Sequence, residues 1–139
     1  MIILDTNVVS EPMKANGAPS VVKWLDNQAA ETLYLTAVNL AELLVGAETM
    51  PAGKRREGVG AGLAALISKL FGARILPFDE DAARTYATLV ARARAKGVAL
   101  SVADAQIAAI ATVRGFAVAT RDTTPFVAVG VPFIDPWRP

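Results

Sequence analysis

The chain is 139 residues long, which suits one domain. Fourteen basic and thirteen acidic residues nearly cancel, 53% of the chain is hydrophobic and 19% is charged, so disorder is excluded and no basic stripe marks a nucleic-acid binder. The absence of His and Cys excludes disulfides, thiolate metal sites and imidazole catalysis, and leaves carboxylates as the chemistry to look for.

No run approaches the roughly 20 apolar residues of a membrane span. The start, Met1-Ile2-Ile3-Leu4-Asp5, lacks the basic flank and cleavage site of a signal peptide, so a cytoplasmic location is expected. A mean hydropathy of +0.39 exceeds what one small core should absorb, and predicts a covered apolar surface and a homodimer.

In chain order, residues 1–5 read as a buried strand. Pro19 to Gln28 reads as a helix that Ser20 could cap, with Val21, Val22, Trp24 and Leu25 as apolar contacts. Leu33-Tyr34-Leu35 is a short strand. Thr36 reads as the N-cap of a helix to about Met50, broken by Pro51-Ala52-Gly53. Arg55 to Phe71 is predicted helical, although Gly58, Gly60 and Gly62 weaken its first half. Arg74 to Phe78 is a strand. Asp79 then caps an amphipathic helix to Lys96, whose apolar side carries Ala82, Ala83, Tyr86, Leu89, Val90 and Ala93, and Gly97 stops it. Ser101 to Arg114 is a helix ended by Gly115. Phe116 to Thr120 and Val131 to Ile134 are the last strands. Short strands alternating with helices predict an α/β fold: a parallel sheet with helices on both faces.

Four acids sit where such a sheet could gather them. Asp5 ends the first strand and Asp122 follows the strand before it, while Glu42 and Asp104 are placed in the first turns of helices leading from the same edge. In open α/β sheets the working crevice lies outside the C-terminal strand ends. Each acid also has a commonplace reading. Asp5 could form an Asx turn capping the next helix, and Asp122 could be a turn residue partnered by Arg121. Ser101-x-x-Asp104 matches a capping box. Glu42 could lie on a solvated edge, yet its helical neighbours Val38, Asn39, Val45 and Gly46 form a mostly apolar face on which an unpaired carboxylate is costly. Converging carboxylates repel one another, so an all-acid pocket implies a hard divalent cation. Setting these four acids aside leaves fourteen bases against nine acids, a balance compatible with an anionic polymer as substrate. Thr6 and Thr120 could hold water or phosphate, Asn7 could fix the turn, and Arg121 could touch a phosphate or steady Asp122.

At these residues the chain resembles PIN-domain proteins, and more closely the VapC-like and FitB-like toxins of bacterial type II toxin–antitoxin pairs. The matching stretches are Ile3-Leu4-Asp5-Thr6-Asn7 with Val8-Val9-Ser10-Glu11, Leu40-Ala41-Glu42-Leu43-Leu44-Val45-Gly46, Val102-Ala103-Asp104-Ala105-Gln106-Ile107-Ala108, Ala119-Thr120-Arg121-Asp122, and the tail from Gly130 to Trp137. Together they span the chain in the family's order, as a single domain over residues 1–139. The resemblance implies a three-layer α/β/α fold and a Mg²⁺- or Mn²⁺-dependent endoribonuclease. It implies a cognate, DNA-binding antitoxin of the VapB or FitA kind that silences the enzyme and brings it to operator DNA, and it too points to a homodimer.

Asp5, Glu42 and Asp104 match the family's first three acids, as metal-binding and catalytic residues. The fourth position departs from the common pattern. Many relatives carry Asn where this chain has Asp122, and an Asp or His three residues on, where this chain has Pro125. Either Asp122 serves as the fourth acid here or the fourth position is empty; some relatives carry an Arg-Asp pair like Arg121-Asp122, which supports Asp122. The alternative implied by FitB-like relatives is a partner subunit of a DNA-bound antitoxin complex with a weak or vestigial nuclease site. A haloacid-dehalogenase-type phosphatase would need a second Asp at the position of Asn7. A response-regulator receiver would need an acidic pair beside Asp5.

Overall fold

The computed structural model describes residues 1–139 throughout. The first strand, β1 (Ile2–Leu4), is wholly aliphatic, and Ile3 and Leu4 are fully buried. A strand of that composition belongs at the centre of a parallel sheet, where both faces are covered. It pairs on one side with β2 (Leu33–Thr36) and on the other with β4 (Ala117–Ala119). Outside these lie β3 (Ile75–Leu76) and β5 (Phe133–Ile134), giving a five-stranded, all-parallel sheet in the order β3-β2-β1-β4-β5. The chain builds outward from β1 to β3 and then crosses back to β4. The sheet's direction of growth therefore reverses between β1 and β4, and in such folds a crevice opens there beyond the C-terminal strand ends.

The strand period of two sorts side chains onto two cores. Ile3 and Val118 enter one, with Leu89 of α5 (Glu80–Ala95), Ile107 and Ile110 of α6 (Val102–Arg114) and Phe126 of α7 (Thr124–Val129). Leu4, Leu33, Leu35 and Ala119 enter the other. There they meet Val8 of α1 (Thr6–Ser10), Val21 of α2 (Pro19–Asp26), Leu43 of α3 (Ala37–Glu48), Leu63 of α4 (Lys54–Leu66) and Phe71. The result is the three-layer arrangement expected from the sequence. Each fully buried aliphatic or Phe side chain contributes about 1.5–3 kcal/mol against solvent exposure, so these two cores hold the layers together. The three ion pairs, Lys14–Glu11, Arg56–Glu48 and Arg84–Glu80, each include a solvent-exposed partner and add little. No helix is long and apolar enough to cross a membrane.

Helix α6 is central, as its near-continuous apolar sequence predicts: Ile107 to Ala111 are buried without a break. Ser101 caps it by accepting from the Asp104 N–H at 3.1 Å, and Gly115, at φ 71°, closes it in the left-handed region that suits glycine.

Several expectations are corrected. Helix α2 starts at Pro19, with Ala18 as an N-cap that makes no side-chain bond, so Ser20 lies inside the first turn and does not cap it. Proline pre-sets the first helical φ, and its missing N–H is one the helix start leaves unpaired anyway. The strand expected at Arg74–Phe78 shortens to Ile75–Leu76, because Pro77 cannot donate to a ladder. The helix expected to Phe71 runs as α-helix only to Leu66 and finishes in a π turn, Ile67–Phe71. Glu42 is the sixth residue of α3 and so lies in its second turn. Helices α1 and α7 and the 3-10 turns at Glu11–Met13 and Ala30–Thr32 lie outside the elements that the sequence pattern predicts. Each is too short to show a 3.6-residue apolar period.

Candidate metal centre

Asp5 stands at the C-terminal end of β1, at the sheet's reversal point. Its backbone N–H continues the ladder by donating to the Ala119 carbonyl at 2.9 Å, so its position is set by the sheet. The residue is only 8% exposed. Oδ1 accepts from the Thr6 N–H at 2.8 Å, capping α1, and from Asn39 Nδ2 at 3.2 Å. Oδ2 accepts from the Thr120 hydroxyl at 2.8 Å. Thr120 is fully buried just past β4, so β1 and β4 are stitched together at the crevice. The Asx-turn reading of Asp5 holds: its carboxylate caps α1.

Glu42 approaches from α3. Its Oε1 accepts from the Thr6 hydroxyl at 2.8 Å, and Oε2 carries no hydrogen bond. Asp104 approaches from the first turn of α6 and is half-buried. Of the capping box expected there, only the Ser101 half forms. A complete box is found instead at the start of α3, where Thr36 and Asn39 exchange bonds.

Burial and neighbouring acidic charge raise two of these acids. Burial pushes the Asp5 carboxyl above its ordinary value; the bonds from Thr120 and Thr6 oppose that, and the Asp104 charge adds to it. Glu42 is raised likewise, by burial first, against the Thr6 bond and with the charges of Asp5 and Asp104 behind it. Asp122 stands apart. It is exposed, and its charge is not among those that raise Asp5 or Glu42. Its link to the crevice is through the backbone: the Asp122 N–H donates to Thr120 Oγ1 at 3.2 Å, behind the hydroxyl that serves Asp5.

The PIN domain family model matches residues 2–131. This chain belongs to the PIN-domain family. Within it, the chain is 50% identical to the VapC ribonuclease Y4jK of Sinorhizobium fredii, over 100% of this chain and 99% of that protein. It is 42% identical to the toxin FitB of Neisseria gonorrhoeae, over 99% of each. Among solved structures, FitAB bound to a DNA fragment superposes with a TM-score of 0.95 at 41% identity, covering 99% of this chain and 96% of that one.

This PIN domain offers only oxygen donors at its crevice: a buried Asp5, a half-buried Asp104 and a solvent-exposed Glu42, with Asp5 and Glu42 raised first by desolvation and then by neighbouring acidic charge. Such a set fits a hard divalent cation, which removes the repulsion. No three acidic side chains are already drawn to ligating spacing, so the fit rests on the chemistry of the donors. From Thr6 and Glu42 an open groove of about 560 Å³ runs between α1, α3 and α4, past Ser10, Leu43, Val59 and Leu63, with Lys14 and Arg55 on its rim.

Two buried polar residues of this PIN domain escaped the sequence reading. Asn39 is fully buried beneath the site. Its signal was a polar residue three positions after a Thr cap, inside an apolar helix. Glu11 is 6% exposed and lies outside the site. The Ala18 N–H donates to its Oε1 at 3.0 Å, and Lys14 Nζ lies 3.1 Å from its Oε2. Together with the Arg121 charge these hold its carboxyl below the ordinary value. Glu11 ties the α1–α2 connection shut, and Gly17 in that connection is needed: a Cβ there would lie 2.5 Å from the Glu11 carbonyl oxygen. Arg121, a candidate partner for Asp122, instead lays its guanidinium over the Trp137 ring, 5.2 Å from the centroid.

Proposed function

We propose that the chain is the toxin of a type II toxin–antitoxin pair, an endoribonuclease that cleaves RNA phosphodiester bonds with Mg²⁺ or Mn²⁺ held by Asp5, Glu42, Asp104 and Asp122. The observation that carries the reading is a buried Asp5 at the sheet's reversal point, electrostatically coupled to Glu42 and Asp104, in a chain half identical to a VapC ribonuclease along its full length. When bound, a divalent cation there supplies a hydroxide nucleophile at lower pH and neutralises charge on the phosphoryl group. The protein's part is to hold the acids. Thr6, Asn39 and Thr120 hold Asp5 still by donating to it and oppose the rise that burial causes in its proton affinity. Thr6 also turns Glu42 so that its Oε2 is left free. Asp104 and Glu42 would offer carboxylates to the cation, and Asp122, tied to the crevice through its backbone N–H on Thr120, would have to swing its exposed carboxylate inward to join them.

The relatives' assemblies support the partners. A cognate antitoxin, DNA-binding and VapB- or FitA-like, carries the toxin to operator DNA, as FitAB is bound to DNA in its solved structure. The groove beside Glu42, with Leu43, Val59 and Leu63 as apolar wall, suits a helix or extended antitoxin segment. An arginine from that segment would pair with the acidic crevice and silence it. Trp24 packs against the core and takes no part in that wall.

The test is RNA cleavage by the isolated protein with Mg²⁺ or Mn²⁺, and again in excess chelator. Cleavage that stops on chelation is expected; undiminished cleavage would rule out the mechanism. No metal-dependent cleavage at all would favour the second reading, a FitB-like partner subunit with a vestigial site, which likeness to the DNA-bound FitAB complex keeps in view.

A further inference from the structure

We propose that Asn39 and Thr6 are positioning residues that form a relay of fixed polarity, and that this relay decides which carboxylate oxygens of Asp5 and Glu42 remain open to a cation. The inference rests on the metal-dependent reading above.

The polarity follows from the donors. The Thr36 N–H, which can only donate, points at Asn39 Oδ1 at 3.3 Å, and the Thr36 hydroxyl reaches the same oxygen at 2.6 Å. The atom facing them is therefore the amide oxygen, and the NH₂ end must face the crevice. Its two protons go to Asp5 Oδ1 at 3.2 Å and to Thr6 Oγ1 at 3.4 Å. Thr6, having received a proton there, has its own left for Glu42 Oε1 at 2.8 Å. A backbone N–H locked in the cap of α3 thus dictates, through Asn39 and then Thr6 of α1, the orientation of Glu42 one turn further along the same helix.

The consequence is a count of lone pairs. Asp5 Oδ1 takes two donors, Thr6 N–H and Asn39 Nδ2, and is full. Asp5 Oδ2 takes one, from Thr120, and keeps one lone pair. Glu42 Oε1 is engaged and Oε2 is free. Each acid is left with one open oxygen directed by the relay, which suits a small cation that keeps several waters. Without the amide, Thr6 could turn its proton to Asp5, and Glu42 would lose its only restraint.

The test is Mn²⁺ binding to the purified full chain, read from the free-ion electron paramagnetic resonance signal, with melting temperature alongside. Thr6→Val keeps the shape and removes the hydroxyl; Thr6→Ser keeps the hydroxyl. Thr6→Val is expected to weaken Mn²⁺ binding about 10–100-fold, the usual cost of losing an outer-shell partner, with little change in melting temperature. Thr6→Ser should bind within about threefold of the parent, because the outer-shell bond survives. Asn39→Ala should weaken binding similarly, and the Thr6→Val/Asn39→Ala double variant should do no worse than the weaker single, since both break one relay. If Asn39→Ala does not fold, the two Thr6 variants decide alone. Equal Mn²⁺ affinity in Thr6→Val and the parent would overturn the relay while leaving the metal site standing. No Mn²⁺ binding by the parent would overturn the metal reading itself, and the relay with it.

Discussion

Asp5 and Glu11 are both buried acids, and their surroundings push them in opposite directions. Asp5 is raised above 3.8 by burial and by Asp104. The folded state therefore holds its proton more tightly than the unfolded chain does. Its contribution to stability is full below the unfolded value and is lost as pH rises through the folded one. Asp5→Asn in metal-free protein should accordingly melt above the parent near neutral pH, with the gap closing as pH falls toward about 4. A lower melting temperature for the variant at neutral pH would show that the bonds from Thr120 and Asn39 outweigh the burial. The same variant should lose RNA cleavage by more than the roughly 10–100-fold typical of outer-shell losses. Glu11 is lowered below 4.5 by the Ala18 N–H and Lys14. Its stabilisation is present above the unfolded value and is lost as pH falls through the folded one. Glu11→Gln should therefore melt below the parent at neutral pH, the deficit vanishing in acid, and should leave Mn²⁺ binding unchanged.

Helix α6 shows how an element serves two ends. Its buried face, Ile107 to Ala111, fixes it against the sheet, and its first turn presents Asp104 to the crevice. The Ser101 cap holds that turn. Ser101→Ala should cost about 1 kcal/mol in urea unfolding, the usual worth of a side-chain N-cap. Because the cap bonds the backbone N–H of Asp104 itself, its loss should also weaken Mn²⁺ binding. An unchanged urea midpoint would mean that packing alone holds the turn.

Over the whole molecule, apolar surface remains in excess of the two cores. Leu44 and Val45 on α3 are 44% and 59% exposed, and Val102 on α6 is 62% exposed. Exposed aliphatic surface of this kind on a small chain marks a protein contact. The expected partner for it is a second copy, distinct from the antitoxin groove lined by Leu43, Val59 and Leu63. Sedimentation should show a dimer at micromolar concentration, and Val45→Asp should shift it toward monomer without lowering Mn²⁺ affinity. A parent that sediments as a monomer would count against the dimer.

The long helices and the parallel sheet were legible in the sequence alone, because apolar periodicity, caps such as Thr36, Asp79 and Ser101, and stops such as Gly97 and Gly115 are local signals. Family motifs ran in the same order along the chain. The short helices α1 and α7 were not legible, since neither completes two turns and both are fixed by the strands they follow. Only tertiary structure decided the strand order, and with it which acids repel one another. Asp5 is coupled to Glu42 and Asp104 because β1 lies between β2 and β4, whereas Asp122 lies two residues past buried Thr120 and turns outward. The same holds for Asn39. In sequence it is one polar residue in an apolar helix; its partners Asp5 and Thr6 lie more than thirty residues away. A hydrogen bond of that span exists only once the sheet has brought two strand ends side by side.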